Sequence, residues 1–413
     1  MKHLTNSAAI EVMPEPDKVY ISLAQHIGKP AAPVVKVGDH VKKGQLIGAQ
    51  DGFISANIYS SVSGTVEDIK PLTTHVGKQT YVIVKNDRSG EETFLPPIDT
   101  TDGAAIAERV KEAGLVGMGG AGFPTYVKIT PKDPIDVVLI NAAECEPYLT
   151  CDHRVLIEYT DEFVQGARFM STALNGAKIY VGVEDNKPDV IEKLSKCDDI
   201  NVVPLKKKYP QGGEKQLIYA VTGRKVGLGK LPATTGVCVL NVQTTRQTYL
   251  AVAKGIPVYS RVMTVTGGGI REPKNLLVAN GTPYTEIIDY CGGFTENARK
   301  VVAGGPMMGR VLSSINSYSR KTDSGLLVLA KGEANEKAPT ACINCGRCAE
   351  ACPMKLMPMY IDLFTHENKF DRTNDYGVMN CIECGACAYV CPAKRDLVGS
   401  IQVAKKKLRE MKG

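Results

Sequence analysis

Two short cysteine-rich runs near the C-terminal end constrain this chain more than any other feature of its sequence. The runs are CINCGRCAEACP and CIECGACAYVCP, and both follow the pattern C-x2-C-x2-C-x3-C-P. This pattern is typical of the ligands of [4Fe–4S] clusters. The predicted metal ligands are Cys342, Cys345, Cys348, Cys352, Cys381, Cys384, Cys387 and Cys391.

The spacing within each run also predicts how the ligands are shared between two clusters. Three thiolates that lie two residues apart suit three corners of one cubane, and the fourth, before proline, points to the neighbouring cluster. We therefore expect the first three cysteines of the first run to join Cys391, and the first three of the second run to join Cys352. The alternative of two structural zinc sites fits less well, because zinc usually takes two well-separated C-x2-C pairs. Such clusters carry single electrons, so another group must load or unload them.

Length and charge exclude several classes of protein. A chain of 413 residues is expected to form about two to four domains. The net charge of +6 argues against a dedicated nucleic-acid binder, so no nucleic-acid partner is expected. No apolar stretch approaches the length of about 18 residues that a spanning helix needs, and the first residues lack an apolar signal core. We therefore expect a soluble, cytoplasmic chain that reaches a membrane only through partners.

The first part of the chain, residues 1–95, is predicted to form a barrel of short strands. Two similar halves, VVKVGDHVKKGQLIG and ANIYSSVSGTVEDI, each contain glycine turns between apolar residues. The pattern resembles the barrel-sandwich hybrid fold of lipoyl and biotinyl domains. Those domains carry a modified lysine on the hairpin between the halves, but here the hairpin AQDGFISAN contains none. An unmodified packing or interaction module is therefore expected.

The remainder of the chain predicts three further domains. Helical and strand patterns alternate over residues 100–255, which favours an α/β domain with a largely parallel sheet; within it, HRVLIEYTDEFVQGARFMSTALNG predicts one long helix. Residues 256–315 predict a small α+β module, and residues 335–413 a helical domain around the cysteine clusters. The predicted fold class is thus multidomain α/β and α+β.

The stretch GLVGMGGAGFPTYVKI, residues 114–129, contains the pattern G-x-G-x-x-G without the context of a Rossmann turn. That turn needs a strand before the loop and a helix that opens within it. Here the preceding residues predict a helix, and Phe123-Pro124 follows the glycines at once. Bare backbone amides beside Lys128 suit an anion such as a phosphate.

Polar residues occur after the predicted strands and at the head of a predicted helix of the same domain. Glu144 and Glu146 follow one strand, Asn241 ends another, and Glu214 begins a helix. Ligands of open α/β sheets bind at the carboxyl ends of the strands. These residues and the glycine loop therefore predict one ligand site.

The motifs of this region resemble those of a known flavoprotein. GMGGAGFPTYVK, NAAECEPYLTCDHR, YPQGGEKQL and NVQT occur in this order in the flavoprotein subunit of respiratory complex I and its hydrogenase relatives, where they bind FMN and then NADH. The module that follows resembles a β-grasp (SLBB) domain. Over nearly its whole length, including ISLAQHIGKPAAPVVKVGDHVKKGQLIG and VAGGPMMG, the chain resembles the RnfC family, a component of the Rnf complex.

The resemblance implies a Rossmann-like FMN/NAD domain, a β-grasp module and a ferredoxin-like double-cluster domain, with two sets of nucleotide contacts. The residues that would line FMN are Gly117, Gly119, Gly120, Lys128, Asn141, Glu144 and Asn241. Those that would meet NAD(H) are Phe123, Glu146 and Glu214. In two places the chain departs from the complex I pattern: Ala143 replaces an aspartate, and Gly213 replaces a glutamate.

The Rnf complex is a membrane ferredoxin:NAD+ oxidoreductase of the translocase class, which pumps Na+ or H+. The resemblance therefore implies a peripheral electron-transfer subunit on the cytoplasmic face of the cell membrane. Its partners would be the other Rnf subunits and NAD(H), with ferredoxin reached indirectly. The cofactors perform the chemistry, so no catalytic side chain is expected. Two alternatives are a soluble flavin/iron–sulfur reductase of the cobalamin-reductase type, and a cluster-bearing scaffold with a vestigial nucleotide site.

Overall fold

The structure is a computed structural model that describes residues 1–411; the last two residues of the predicted 335–413 segment lie outside it. Residues 18–86 form the predicted barrel from two small antiparallel sheets, ordered β2-β8-β7-β4 and β3-β5-β6. Apolar residues that alternate along the strands, such as Val19 and Ile21, fill its core. The strands of this part of the chain are β1 (Ile10–Val12), β2 (Lys18–Ser22), β3 (Ala32–Pro33), β4 (His40–Val41), β5 (Leu46–Ala49), β6 (Ile58–Tyr59), β7 (Gly64–Thr74) and β8 (Gly77–Asn86).

The first strand lies outside the barrel. β1 pairs in parallel with a strand that begins at Lys274, with Ile10 opposite Asn275. A short 3-10 helix, Lys2–Leu4, precedes β1. The first 13 residues therefore cross to other domains before the chain enters the barrel.

The α/β domain (residues 103–253) contains four parallel strands in the order β11-β10-β9-β12. Its strands are almost continuously apolar because helices cover both faces of the sheet; α6 lies on one face, and α1, α3, α4, α5 and α7 lie on the other. The elements are α1 (Gly103–Glu112), α2 (Thr125–Ile129), β9 (Val137–Ala142), α3 (Cys151–Glu158), α4 (Thr160–Ala173), β10 (Lys178–Glu184), α5 (Pro188–Leu194), β11 (Ile200–Leu205), α6 (Glu214–Thr222), β12 (Val237–Asn241) and α7 (Val242–Ala253).

The predicted α/β alternation is confirmed, whereas the prediction of one long helix after β9 is wrong. The helix is divided into α3 and α4 at Tyr159, whose φ of −121° and ψ of 39° leave the helical region. The hydroxyl of Thr160 donates to the carbonyl of Leu156 at 2.6 Å across the break. The break lets α4 turn to pack on α7 while α3 keeps its position at the end of β9.

A six-stranded sheet follows, in the order β1-β14-β13-β17-β15-β16. Its core contains Met263, Leu276, Ile287 and Val328, and α8 packs on it. The sheet takes β1 from the start of the chain and β17 from beyond the predicted 256–315 range. The elements are β13 (Ser260–Thr266), β14 (Lys274–Ala279), α8 (Tyr284–Tyr290), β15 (Ala298–Ala303), β16 (Arg310–Val311) and β17 (Gly325–Ala330).

The cysteine domain (residues 341–410) is built from short helices around the two runs. α10 packs on α12 through Ile361, Ile401 and Leu408. The helices are α9 (Arg347–Glu350), α10 (Pro358–His366), α11 (Ala386–Val390) and α12 (Leu397–Glu410), and the 3-10 helices after the barrel are Pro232–Thr235, Phe370–Tyr376 and Val378–Asn380.

A buried lysine joins the barrel, the α/β domain and the six-stranded sheet. Lys321, on the loop before β17, is fully buried. Its Nζ donates to the carbonyl of Asn57 in the barrel at 2.6 Å and to that of Gly114 after α1 at 2.8 Å. Burial lowers the pKa of Lys321 to about 7, since a low-dielectric environment disfavours the charged form.

Lys321→Met is expected to remove a pH dependence of stability. The lysine pKa is about 10.4 in an unfolded chain and about 7 in the folded protein, so between these values the unfolded chain binds more protons. The free energy of unfolding of the native sequence therefore rises with pH across this window, by up to about 1.4 kcal/mol per pH unit. Urea unfolding from about pH 7 to about pH 9 measures the slope in that window. The exposed Lys132→Met is the control, and equal slopes in all three proteins would contradict the prediction.

Candidate functional site

The two cysteine runs line two separate cavities, and each cavity takes one cysteine from the other run. The inner cavity, of about 340 Å³, is lined by Cys381, Cys384, Cys387 and Cys352. The outer cavity, of about 360 Å³, is lined by Cys342, Cys345, Cys348 and Cys391. The structure thus brings together the same two groups of four that the spacing predicts. Four thiols around a closed space are the donor set that a [4Fe–4S] cluster requires, so the residues fit this group.

Backbone geometry supports both cavities. Gly346 and Gly385 begin α9 and α11 with φ values of 75° and 78°, a region that favours glycine. A Cβ atom at Gly385 would lie 2.3 Å from the carbonyl oxygen of Met307. Amide N–H groups point at sulfur: that of Leu356 donates to the Cys352 Sγ at 3.4 Å, and that of Glu383 to the Cys381 Sγ at 3.3 Å. Hydrogen bonds of this kind tune cluster potentials.

The inner cavity lies against the α/β domain. The hydroxyl of Tyr209 donates to the carbonyl of Cys384 at 2.6 Å, and the amide of Gln216 contacts the Met354 Sδ at 3.3 Å. Burial raises the pKa of Tyr209 above its usual value, so its hydroxyl keeps the proton that this bond needs. The outer cavity is different, because Cys342 and Cys345 are exposed.

The glycine loop (residues 114–124) connects α1 to α2. The amide of Gly117 donates to the carbonyl of Phe123 at 2.8 Å, and that of Thr125 donates to Leu115 at 3.0 Å. Phe123 is half-buried. Because a helix precedes the loop, the structure has no Rossmann turn here. A Cβ atom at Gly119 would lie 2.6 Å from the Asn241 Nδ2, so only glycine allows this approach.

Lys128 and Glu214, to which the resemblance gives different ligands, form an ion pair. The Lys128 Nζ lies 3.0 Å from the Glu214 Oε1 and donates to the carbonyl of Val239 at 3.2 Å. The two side chains are 30% and 41% exposed. The ammonium and the carboxylate therefore both remain accessible to a ligand.

Asn141 and Asn241 end neighbouring parallel strands and lie opposite each other. The Asn141 Nδ2 donates to the carbonyl of Gly212 at 2.8 Å. The Asn241 Oδ1 caps α7 by accepting from the Gln243 amide, while its Nδ2 donates to Asp152 at 2.8 Å. Burial, with the nearby charge of Glu144, raises the pKa of Asp152 to about 6.

The carboxylates of Glu144 and Glu146 face different partners. Glu144 has a φ of 45°, and its Oε1 accepts from the Asp152 amide at 2.7 Å. Glu146 instead reaches the six-stranded sheet domain, where its two oxygens accept from the amides of Met307 at 3.1 Å and Met308 at 2.7 Å. Burial raises the pKa of Glu146.

The donor set around the glycine loop fits a flavin nucleotide. It offers bare amides, open space beside Gly120, the cation of Lys128 and two strand-end asparagines, which suit a phosphate and a polar ring edge. The residues that sequence reasoning did not assign to the site are Lys2, Asp152 and Lys187. Asp152 stands within the quoted motif NAAECEPYLTCDHR, but no local signal points to either lysine.

Four domain families match the chain in sequence order. They are the RnfC barrel sandwich hybrid domain over residues 1–89, the Nuo51 FMN-binding domain over 110–250, the SLBB domain over 262–311 and the 4Fe-4S dicluster domain over 341–394. The chain is 45% identical to the RnfC protein of the proton-translocating ferredoxin:NAD(+) oxidoreductase complex of Clostridium ljungdahlii, over 98% of this chain and 91% of that protein. The chain belongs to the RnfC family.

Two further RnfC relatives match over similar lengths. The corresponding protein of the Na(+)-translocating ferredoxin:NAD(+) oxidoreductase complex of Acetobacterium woodii is 42% identical over 95% of this chain and 91% of that protein. That of the ion-translocating oxidoreductase complex of Rhodobacter capsulatus is 41% identical over 99% of this chain and 81% of that protein. The names make all three relatives subunits of a larger complex.

The family assignment confirms the predicted fold class, with its barrel-sandwich hybrid, FMN/NAD, SLBB and double-cluster domains. The RnfC domains also confirm the predicted cofactors, because an FMN-binding domain of the Nuo51 type and a 4Fe-4S dicluster domain fit FMN, NAD(H) and two [4Fe–4S] clusters. Within residues 1–411, no helix has both the length and the apolar character that crossing a membrane requires.

Proposed function

We propose that this chain is the peripheral electron-transfer subunit of an Rnf complex, and that it connects NAD(H) with partner subunits. When bound, FMN exchanges an electron pair with the nicotinamide, and the two clusters carry single electrons. The observation that supports this function best is the order of the sites. The nucleotide-site residues, the inner cavity and the outer cavity follow one another from the α/β domain to an exposed surface.

We propose the predicted nucleotide contacts as the site of this function. Gly117, Gly119 and Gly120 present the loop backbone, Lys128 neutralises phosphate charge, and the remaining FMN contacts are Asn141, Glu144 and Asn241. Phe123, Glu146 and Glu214 are the proposed NAD(H) contacts. The bonds from Glu146 to residues 307 and 308 support an additional role, which is to hold the loop that packs against Gly385 beside the inner cavity.

The outer cavity is the proposed point of electron exchange with partner subunits. Ile343, between the exposed Cys342 and Cys345, is 66% exposed, so a partner can approach the ligands of this cluster closely. The partners would be the other Rnf subunits, which connect the chain to ferredoxin and to Na+ or H+ translocation. This places the chain on the cytoplasmic face of the membrane.

Anaerobic titration with NADH tests this function. The chain, purified with reconstituted clusters, is expected to retain FMN and to show bleaching of the flavin absorbance on addition of NADH, followed by the appearance of reduced-cluster EPR signals. NADPH is the control nucleotide. If no flavin is retained, or if NADH leaves a bound flavin oxidised, the proposal fails for the isolated subunit. Recovery of the chain from its native membrane with other subunits separates an Rnf subunit from a stand-alone reductase.

A further inference from the structure

The N-terminal segment (residues 1–13) is anchored between the α/β domain and the six-stranded sheet. Thr5 is fully buried, and its hydroxyl lies 2.7 Å from that of Thr150, just before α3. The Asn275 Nδ2 on β14 donates to the carbonyl of Thr5 at 2.8 Å. The amide of Ile10 donates to both carboxylate oxygens of Glu158 at 3.0 and 3.1 Å. The segment is therefore part of the folded structure on both sides.

This segment carries Lys2 to the 143–149 loop, which holds the proposed nucleotide contacts after β9. The Lys2 Nζ donates to the carbonyl of Glu144 at 2.7 Å and to the carbonyl of Leu149, and it lies 3.5 Å from the Glu144 Oε2. The Glu144 side chain is only 4% exposed. Glu144 has a positive φ, a conformation that needs support from its surroundings in a residue with a side chain. Lys2 supplies this support through both the backbone and the carboxylate.

A second buried lysine holds the preceding residue. The Lys187 Nζ, on a side chain that is 3% exposed, donates to the carbonyl of Ala143 at 2.7 Å and lies 3.8 Å from the Glu184 Oε2. Two consecutive carbonyls are thus bound by ammonium groups from distant parts of the chain. At position 143, where the complex I pattern has an aspartate, the chain offers no carboxylate, and Lys187 fixes the backbone there.

A chain of hydrogen bonds leads from Lys2 to the glycine loop. The Glu144 Oε1 accepts from the Asp152 amide at 2.7 Å, and the Asp152 Oδ2 accepts from the Asn241 Nδ2 at 2.8 Å. Asn241 lies against Gly119, where a Cβ atom would be 2.6 Å from the same Nδ2. Each link is a polar contact with restricted geometry, so a change at Lys2 alters the position of groups at the far end.

We propose that Lys2, carried by the N-terminal segment, is a positioning residue of the flavin site, and that Lys187 acts with it. Together they hold the 143–149 loop so that Glu144, Asp152 and Asn241 keep the arrangement that FMN requires. This inference rests on the proposed function, because it assumes that FMN binds at the glycine loop. The first 13 residues are then a part of the nucleotide site as well as a connection to the barrel.

The test compares Lys2→Met with Lys2→Arg in the full chain with reconstituted clusters. FMN is removed, and its rebinding is followed by quenching of flavin fluorescence. Lys2→Met is expected to raise the dissociation constant of FMN about tenfold or more, since it removes charge-assisted bonds to partly buried oxygens. Lys2→Arg, which retains the charge and the donors, is expected to restore most of the affinity. Iron per chain should stay at the native value in both variants.

Lys18→Met is the matched control, because Lys18 pairs with Glu67 on the barrel surface and is expected to leave FMN affinity unchanged. The visible circular dichroism of the bound flavin is the second measurement, since it reports the ring environment and should change in Lys2→Met even at saturating FMN. Should Lys2→Met also lose iron, Lys2→Gln replaces it in the same comparison.

Native FMN affinity and native flavin dichroism in the Lys2 variant, or an equal loss in the Lys18 variant, would overturn the inference. Equal weakening by Lys2→Met and Lys2→Arg would also overturn it, because the arginine keeps the interaction. If the native chain itself binds no FMN, the proposed function fails first, so the two failures are distinguishable.

Discussion

Cys352→Ser is expected to remove one [4Fe–4S] cluster and to leave the other, so that iron falls from about eight to about four atoms per chain. Cys352 lines the inner cavity with Cys381, Cys384 and Cys387, although it belongs to the first run in sequence. The EPR signal that it loses should therefore be the one lost in Cys384→Ser. Cys391→Ser should remove the other signal, together with Cys348→Ser.

The measurement is iron content combined with EPR of the dithionite-reduced protein. Cys197→Ser, a half-buried cysteine outside both runs, is the control and should keep the full iron content. Flavin should be retained in all these variants, because the nucleotide-site residues lie in the α/β domain. Loss of the same signal in Cys352→Ser and Cys348→Ser would show that each run binds its own cluster, contrary to the crossed arrangement.

Lys128→Ala is expected to weaken FMN binding by about tenfold to a hundredfold, which corresponds to the loss of about 1.5–3 kcal/mol for hydrogen bonds to a charged group. Lys128 contacts Glu214 and the carbonyl of Val239 within the α/β domain, so the iron content should stay at about eight atoms per chain. Flavin fluorescence and iron analysis of the same sample measure both quantities. Lys132→Ala, in the loop after α2, is the matched exposed control.

Glu214→Gln separates the two halves of the Lys128–Glu214 pair. It releases the ammonium from its carboxylate partner but keeps the cation, so FMN should stay bound while the KM for NADH rises. A loss of flavin equal to that in Lys128→Ala would assign Glu214 to the flavin. Iron lost in parallel with flavin in Lys128→Ala would contradict the separation between the α/β domain and the cysteine domain.

Much of this architecture is predictable from the sequence because its signals are local. The two cysteine runs specify cluster ligands through spacing alone, and the apolar runs that became β9 and β12 place Asn141 and Asn241 at strand ends. Even the exchange of the fourth cysteine follows from the direction in which the residue before proline points. The break at Tyr159 is not predictable in the same way, because apolar spacing continues across it.

The contacts between domains are not predictable from local signals, because they join residues that are far apart in the chain. Lys2 and Glu144 are 142 positions apart, and Tyr209 and Cys384 are 175 apart. A lysine or tyrosine in isolation has many possible roles, and only the packed backbone decides which carbonyl its donor reaches. The same holds for Glu146, whose carboxylate meets the amides of residues 307 and 308.

The sequence by itself determined the cofactor class, the domain order and the residues that can bind iron and phosphate, since these depend on short patterns with strong chemical requirements. Only the tertiary structure decided the order of the sites and the support of the nucleotide loop. Tyr209 joins the α/β domain to the inner cavity, and Lys2 and Lys187 hold the carbonyls of residues 144 and 143. The physical reason is that buried carbonyls need donors, and which donors reach them depends on how the domains pack.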